Sequence, residues 1–234
     1  GPDAASYLHS QASNDIASLE VGGARQSFLL DPSGRIVALV RVTRLGTDRF
    51  LIDFDAGHAA VVIARLERFR IRVKVEFRPV AVRCRARRGS GSVDVGPLGV
   101  GEFAVPAWFE DGSAVDVVSI VEEHEPVVED AVLEAARIEA AWPRMGAEIE
   151  PGRTLPASTG IVGVVVSFTK GCYPGQELVE RMDSRGAASP TSLRTVDVPT
   201  GTAGGDPIRV DGEEIGRVTS VVGTRALAYI ERGR

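Results

Sequence analysis

One stretch of the chain, KGCYPGQE at residues 170–177, restricts the possible folds more than any other. The apolar, β-branched run before it, residues 161–168, predicts a buried strand. Pro174 suits the first turn of a helix, which the pattern predicts to continue to about Met182. The sequence therefore predicts a strand, a glycine-bracketed turn and a helix, with a cysteine in the turn.

Cys172 is the residue of this turn that carries the most chemistry. Its thiol lies just before a predicted helix start and two residues from Lys170, a setting that favours the thiolate, which is the reactive form. Gly171 and Gly175 allow a ligand or another backbone segment to come close. A lone cysteine in such a corner is more often a small buried residue, and spacing alone leaves both interpretations open.

Composition bounds the class of protein. The chain has 234 residues, of which 44% are hydrophobic and 25% are charged, as is ordinary for globular domains. The net charge of -5 gives no overall attraction to nucleic acid. Two cysteines form no disulfide framework, so we predict a reducing, cytoplasmic setting. We expect no membrane span and no signal peptide, because no apolar run reaches ~18 residues and no such pattern opens the chain.

The charges are distributed unevenly along the chain. Residues 65–88 contain ten Lys or Arg and two acids, whereas residues 110–130 contain eight acids and no Lys or Arg. Such asymmetry is typical of an interaction surface, so the stretch from Arg65 to Arg88 is a candidate contact for tRNA. Two solvated faces are the ordinary alternative. The three histidines are isolated from other metal-ligating residues at helical spacing, so the sequence predicts no metal site.

The remaining pattern predicts alternating sheets and helices. Three strands at 26–30, 35–45 and 50–54, joined by short turns, predict an antiparallel meander. A helix at 58–69 precedes an alternating strand at 71–77 and a strand at 80–84, in which Cys84 is a packing residue. A basic loop is predicted at 85–92 and a helix at 127–142, which Pro143 stops. Short strands from 195 to 230 predict a small β-barrel-like module at the C-terminal end.

These elements predict an α+β fold in three parts. The first domain comprises residues 1–57 together with 127–183, the second residues 58–126 and the third residues 184–234. Residues 1–4 are either the remnant of a tag or a native turn, and the helical pattern after them predicts a strand upstream of this sequence.

The octapeptide at 170–177 resembles the signature of the YgfZ family of folate-binding proteins, which are relatives of the glycine-cleavage T-protein, an aminomethyltransferase. The resemblance extends over most of the chain. It includes the segments Tyr7–Gln11 with Asn14-Asp15, Gly34-Arg35 with Arg41-Val42, Arg137–Ala141 and Gly216–Ser220.

The resemblance implies a T-protein-like fold, with ferredoxin-like sheet and helix layers in a ring and a C-terminal β-barrel module. It further implies a central opening that holds tetrahydrofolate, and support of iron–sulfur protein assembly or repair. The implied partners are iron–sulfur proteins or their assembly factors, and the implied state is a monomer. By carry-over, Glu139, Lys170, Tyr173 and Gln176 bind the folate, and Cys172 and Lys170 carry the chemistry.

One departure separates this chain from the T-proteins. In T-proteins, the strand after the glycine turn carries an aspartate pair, one member of which is catalytic. The matching stretch here, Gly34 to Leu39, contains no acid. Aminomethyl transfer needs a carboxylate near the reacting nitrogen, so the absence of this acid argues against aminomethyltransferase activity. A folate-dependent one-carbon transferase is kept as the alternative to an accessory role. Ala141 and Ser158 also replace the residues that are usual in the family.

Overall fold

The computed structural model describes residues 1–88, 97–109, 114–122, 130–184 and 189–233. The helices are α1 (Ala4–Gln11), α2 (Ala59–Arg68), α3 (Ala131–Glu139), α4 (Val162–Val165) and α5 (Gln176–Ser184), with a 3-10 turn at Pro156–Ser158. The strands are β1 (Ala24–Leu30), β2 (Ile36–Arg44), β3 (Phe50–Asp53), β4 (Ala81–Arg87), β5 (Glu102–Pro106), β6 (Val115–Val121), β7 (Thr191–Asp197), β8 (Pro207–Val210), β9 (Glu213–Val222) and β10 (Arg225–Glu231).

The strands form three sheets with the orders β1-β2-β3, β4-β6-β5 and β7-β10-β9-β8. The pairings of β2 with β3, of β4 and β5 with β6, and of β10 with β7 and β9 are antiparallel. This confirms the predicted meander and the short strands near the C-terminal end. The predicted closure of those last strands into a barrel-like module stays a prediction.

The chain divides into two compact units. Unit 1 comprises Gly1–Leu29, Leu39–Val128 and Val165–Tyr173, and unit 2 comprises Leu30–Ala38, Glu129–Val164 and Pro174–Arg234. In unit 1 a buried cluster joins Leu51, Val105 and Val118 from β3, β5 and β6. In unit 2 helix α3 covers the four-stranded sheet, with Ile138 packed against Leu193 and Leu227. The predicted three-domain division stays a prediction.

The predicted strand at 161–168 is wrong, because Val162–Val165 forms the helical turn α4. The segment is held by single hydrogen bonds to a loop and not by a strand ladder. Ser13 Oγ donates to the Val165 carbonyl at 2.7 Å, and the Ser167 amide donates to the Ser13 carbonyl at 3.0 Å. An apolar, β-branched run fits a buried turn as well as a buried strand, so the pattern alone did not separate the two.

The predicted strand at 71–77 is also wrong, because these residues form no strand. Arg72 has φ +57°, which breaks the extended geometry. The Lys74 amide donates to the Asp3 carboxylate at 2.6 Å, and Arg70 donates to the Val75 carbonyl at 3.2 Å. Side chains therefore satisfy the backbone of this segment, where a sheet partner was expected.

Two other predictions need adjustment at their ends. The helix predicted at 127–142 is α3, in which Asp130 accepts hydrogen bonds from the amides of Val132 and Leu133 at 2.9 and 3.2 Å. Residues 127–129 lie outside the described residues, and Ala141, with φ +50°, ends the helical geometry. The predicted loop at 85–92 begins inside β4, and its residues 89–92 lie outside the described residues. Among the residues described, no helix is both long and apolar enough to cross a membrane.

Candidate functional site

Lys170 connects two segments of unit 1 that lie far apart in sequence. Its ammonium group donates to the carbonyl of His9, 161 residues away, and to the carbonyl of Ala12 at 2.6 Å, 158 residues away. Both carbonyls belong to the C-terminal end of α1, where a cation compensates the partial negative charge of the helix. The two stretches that carry the family resemblance, around residues 7–15 and 170–177, therefore meet at one lysine.

The environment of Lys170 makes its proton labile near neutral pH. Burial lowers the pKa of Lys170 to about 8, although the charges of Asp15 and Cys172 act in the opposite direction. The ammonium nitrogen lies 4.9 Å from the centre of the Tyr173 ring, within the range of a cation–π contact. A lysine with a pKa near 8 exists in both protonation states at physiological pH, so it can accept as well as donate a proton.

His9 and Asp15 form the polar surroundings of this lysine. The Nδ1 atom of His9 accepts from the Ala17 amide at 3.2 Å and lies 3.2 Å from a carboxylate oxygen of Asp15. Burial and the nearby Lys170 charge lower the pKa of His9. His9 thus satisfies a backbone amide of the loop that follows α1. His9 lies close to Lys170 because the lysine binds the His9 carbonyl, a contact between residues 161 positions apart that the sequence did not reveal.

Cys172 is exposed and follows the half-buried Lys170 by two residues in the chain. The open side of the turn is formed by Gly171, where an added Cβ would meet nothing within 4 Å. The thiol is therefore accessible to a partner or a small molecule. The alternative reading of Cys172 as a small buried residue is wrong.

The second glycine of the turn has a packing role within unit 2. Gly175 has φ +84°, and an added Cβ would lie 2.5 Å from the Asp31 carbonyl oxygen and 2.9 Å from the Gly34 Cα. Gly34 in turn has φ +85° and faces Leu178 of α5. The two glycine turns thus pack backbone to backbone, and neither accepts a side chain.

Tyr173 and Gln176 occupy different environments. Tyr173 is buried, with its ring under the Lys170 cation. Gln176 begins α5 and is half-buried, and its amide nitrogen donates to the Glu180 carboxylate at 2.5 Å. Their predicted roles in folate binding stay predictions.

Glu139 ends α3 on the surface of unit 2, and its carboxylate is held by Arg225. The guanidinium donates from Nε to one carboxylate oxygen at 2.7 Å and from Nη2 to the other at 2.9 Å. Arg225 also donates to Asp197 at 2.9 Å. The hydrogen bonds from Arg225 lower the pKa of Glu139. A carboxylate can accept two parallel N–H groups, and in this structure the two N–H groups come from the guanidinium of Arg225.

A buried network beneath α3 was not foreseen from the sequence. Arg137 is buried and donates to both oxygens of Glu134 at 2.7 and 2.8 Å, to Glu148 at 3.0 Å and to Ser220 Oγ at 2.7 Å. Ser220 donates to the other oxygen of Glu148 at 2.6 Å. Because every charge is paired, this network fixes the position of α3 and hence of Glu139. Arg137 and Ser220 both fall in segments that carry the resemblance, which is the signal that could have found them.

A second buried charge cluster lies in unit 1 around Arg41. This side chain is fully buried and donates to Asp53 at 2.8 Å and to Asp116 at 2.6 Å. Its Nη2 atom lies 4.0 Å from the Cys84 sulfur. Burial, reinforced by the charge of Asp116, raises the pKa of Cys84 to about 11. The thiol of Cys84 is therefore held protonated at neutral pH. The residue itself is exposed on β4, so its predicted role as a packing residue is wrong.

Two hollows occur within unit 2. One, of about 310 Å³, lies between α4, α5 and the 3-10 turn, with Gly160, Gly163 and Met182 in its lining and Arg232 at its edge. The other, of about 400 Å³, is lined by the β7–β8 connection and includes Asp197, which binds Arg225. The second hollow therefore borders the ion pairs of Glu139. Among the described residues, no three His, Cys, Asp or Glu side chains form a group that could hold a metal ion.

The solved-structure comparison identifies the class of fold. The chain superposes on glycine cleavage system aminomethyltransferase T from Bartonella henselae with a TM-score of 0.73. The match has 19% sequence identity and covers 99% of this chain and 74% of that chain. The chain therefore has the T-protein fold, which confirms the predicted fold class.

Two curated proteins with similar sequences are homologs of the iron–sulfur cluster assembly factor IBA57, both named as mitochondrial. The one from Neurospora crassa is 28% identical over 215 residues, covering 80% of this chain and 48% of the relative. The one from Phaeosphaeria nodorum is 26% identical over 225 residues, covering 88% and 54%. An uncharacterized protein from Haemophilus influenzae is 22% identical over 200 residues, covering 80% and 65%.

These likenesses confirm the resemblance to YgfZ-type, T-protein-like proteins. The chain spans about half to two thirds of the length of these curated relatives. No protein-family model matches the chain.

Proposed function

We propose that this chain binds a reduced folate and supports the assembly or repair of iron–sulfur proteins, with Cys172 as its reactive thiol. The observation that carries the proposal is the pairing of an exposed cysteine with Lys170, whose pKa of about 8 leaves it partly neutral near physiological pH. The T-protein fold and the names of the assembly-factor relatives support the same direction.

Each residue has a distinct part in this proposal. Glu139 accepts two parallel N–H groups from the aminopyrimidine edge of the folate, a geometry that carboxylates suit. Lys170 holds charge next to the thiol and exchanges a proton with it or with a ligand. A reduced folate supplies ring nitrogens that carry one-carbon units. Two cysteines are too few to hold a cluster through protein thiolates, so Cys172 acts transiently on its clients.

The test is a calorimetric titration with 5-formyltetrahydrofolate. The natural chain is expected to bind, Glu139→Ala to bind at least tenfold more weakly, and Cys84→Ser to bind normally as the matched control. In cells that depend on this protein, Cys172→Ser is expected to lower iron–sulfur enzyme activities, whereas Cys84→Ser leaves them unchanged. The central premise would fail if the natural chain bound no folate and the Cys172→Ser protein functioned fully.

An aminomethyl transferase is the second candidate, because the fold is that of aminomethyltransferase T. The start of β2 offers no acid, and Asp53 on β3 is buried and bound to Arg41 at 2.8 Å. A carboxylate used in this way is not available for proton transfer at a folate nitrogen. Formation of methylene-tetrahydrofolate at enzyme-like turnover would establish this second function in place of the first.

Contact with tRNA is a further part of the proposal, on a smaller surface than the sequence suggested. Arg65 is buried and donates to Gln11 at 2.9 Å, so it is excluded from any such surface. Arg68, Arg72 and Lys74 are exposed on one continuous segment. Salt-sensitive tRNA binding that Arg72→Glu with Lys74→Glu abolishes would support the contact. Equal binding by the natural and reversed chains would refute it.

A monomeric state and a cytoplasmic location complete the proposal. Sedimentation of the purified chain tests the first, with a single species of 24.8 kDa expected. Fractionation of cells that express the full-length protein tests the second, and recovery in mitochondria, the location in the names of the assembly-factor relatives, would overturn it.

A further inference from the structure

The exposed ion triplet of unit 2 consists of Glu139, Arg225 and Asp197. Arg225 uses Nε and Nη2 to contact both oxygens of Glu139, at 2.7 and 2.9 Å, and uses Nη1 to contact Asp197 at 2.9 Å. The exposed fractions of the side chains are 55% for Glu139, 38% for Arg225 and 80% for Asp197. The triplet therefore lies at the surface, where its members can exchange partners without unfolding the sheet.

The geometry of the Arg225 contact limits what else Glu139 can bind. A carboxylate presents one face on which both oxygens accept parallel N–H groups, and a guanidinium fork fills that face. The 2-amino-4-oxopyrimidine edge of a pterin offers two parallel N–H donors of the same kind. Both partners need the same two lone pairs, so they compete for Glu139.

We propose that Arg225 is a specificity-determining residue that occupies the ligand face of Glu139 until a partner with two parallel N–H groups displaces it. The inference rests on the proposed folate-binding function and deepens it. A ligand that offers one N–H group replaces only half of what Arg225 provides, so it is rejected. Asp197 keeps the displaced guanidinium paired, which lowers the cost of its release.

The affinity of truncated variants tests the competition directly. Binding of 5-formyltetrahydrofolate is expected to be roughly two- to fivefold tighter for Arg225→Ala than for the natural chain, because an exposed ion pair contributes little and is lost on binding. Asp197→Asn is expected to bind about twofold more weakly, since Arg225 then has only Glu139 to pair with. Equal or weaker binding by Arg225→Ala would overturn the proposal.

A double-mutant cycle separates competition from a general effect on the fold. In the Glu139→Gln background, Arg225→Ala is expected to change the affinity by less than 1.5-fold, roughly the scatter of independent sites. The probe p-aminobenzoylglutamate, which lacks the pterin, is expected to bind the natural and Arg225→Ala chains equally. A gain in affinity that persists in Glu139→Gln, or that appears with this fragment, contradicts the role assigned to Arg225.

A readout without ligand completes the test. In NMR spectra of the ligand-free protein, the Nε–H signal of Arg225 is expected to shift on Glu139→Gln and to stay in place on Glu214→Gln, a control at another exposed acid of the same sheet. An unmoved signal refutes the contact. If no chain binds 5-formyltetrahydrofolate, the folate function and this inference both fail; if the natural chain binds and Arg225→Ala does not bind more tightly, only this inference fails.

Discussion

The two glycines of the KGCYPGQE turn are chemically identical but are expected to respond very differently to substitution by alanine. At Gly175 the backbone has φ +84°, and an added Cβ would lie 2.5 Å from the Asp31 carbonyl oxygen and 2.9 Å from both Gly34 Cα and Leu30 Cβ. At Gly171 an added Cβ would meet nothing within 4 Å. The pair therefore supplies a perturbation and its matched control four residues apart.

The expected cost of Gly175→Ala is the sum of two contributions. A left-handed conformation costs an alanine about 1 kcal/mol more than a glycine. Forcing a methyl group into contacts below 3 Å, of which the closest involve backbone atoms, costs about 1–3 kcal/mol more. The free energy of unfolding should therefore fall by about 2–4 kcal/mol, whereas Gly171→Ala should change it by less than about 0.5 kcal/mol.

Urea denaturation followed by circular dichroism measures the free energy of unfolding of both variants, and thermal denaturation measures their melting temperatures. A chain of this length should lose roughly 4–16 °C of melting temperature at Gly175→Ala, at about 2–4 °C for each kcal/mol. Folate titration and Cys172 alkylation of Gly171→Ala then report on the open side of the turn without a loss of stability. Equal destabilisation by the two substitutions would refute the argument that Gly175 is required by packing and Gly171 is not.

Three further predictions concern single groups. Because the pKa of Cys84 is raised from 9.0 to about 11, its thiolate fraction at pH 8 is roughly a hundredfold below that of an ordinary thiol. Iodoacetamide should therefore alkylate Cys84 about a hundredfold more slowly in the Cys172→Ser chain than it alkylates a model thiol, and comparable rates would show that the pKa of Cys84 is not raised. Lys170 has a folded pKa of about 8 against 10.5 in the unfolded chain, so the unfolded state binds more protons between these two pH values and stability rises with pH there. Relative to Lys170→Met, the free energy of unfolding of the natural chain should increase by roughly 1–2 kcal/mol from pH 8 to pH 10, after allowance for solvent exposure. A difference that does not depend on pH would count against a buried lysine. Glu148→Ala should cost about 3–5 kcal/mol in urea denaturation, because it removes a fully buried partner of Arg137; the partly exposed Glu134→Ala should cost less, and the reverse order would contradict the network.

Local pattern was sufficient for the elements that depend on neighbouring residues. The turn after β1 has the aspartate, proline, serine and glycine that such turns require, and the Gly34 amide donates to the Asp31 carbonyl at 2.9 Å. Helix α2 lies within the range predicted for a helix at 58–69, and Val62 and Leu66 are buried on it. These features were readable because each is decided within about ten residues.

The failures arose where a distant contact decides the outcome. The run at 161–168 has the pattern of a strand, but its backbone is held by Ser13, about 150 residues earlier. The alternation at 71–77 lacked a neighbouring strand and was taken over by the Asp3 side chain. The pattern of apolar residues indicates which face of a segment is buried. Which group accepts or donates the hydrogen bonds of its backbone is decided by the tertiary fold.

The candidate site shows the same division. The resemblance selected Glu139, Lys170 and Cys172 by residue number, and the structure describes each at the surface or half-buried. It gave no sign that Arg225 covers the carboxylate of Glu139, or that Lys170 binds the end of α1. Both contacts join residues more than 80 positions apart, so no spacing rule would have found them.

The attachment of Lys170 to the end of α1 changes how the effects of substitutions at residue 170 are to be interpreted. The side chain that holds charge beside the thiol also anchors the first helix, so its removal damages architecture and chemistry together. An arginine or an ornithine-like analogue at the same place would separate these duties by preserving charge while altering reach. A defect caused by Lys170→Ala therefore combines the loss of the charge beside the thiol with the loss of the anchor for α1.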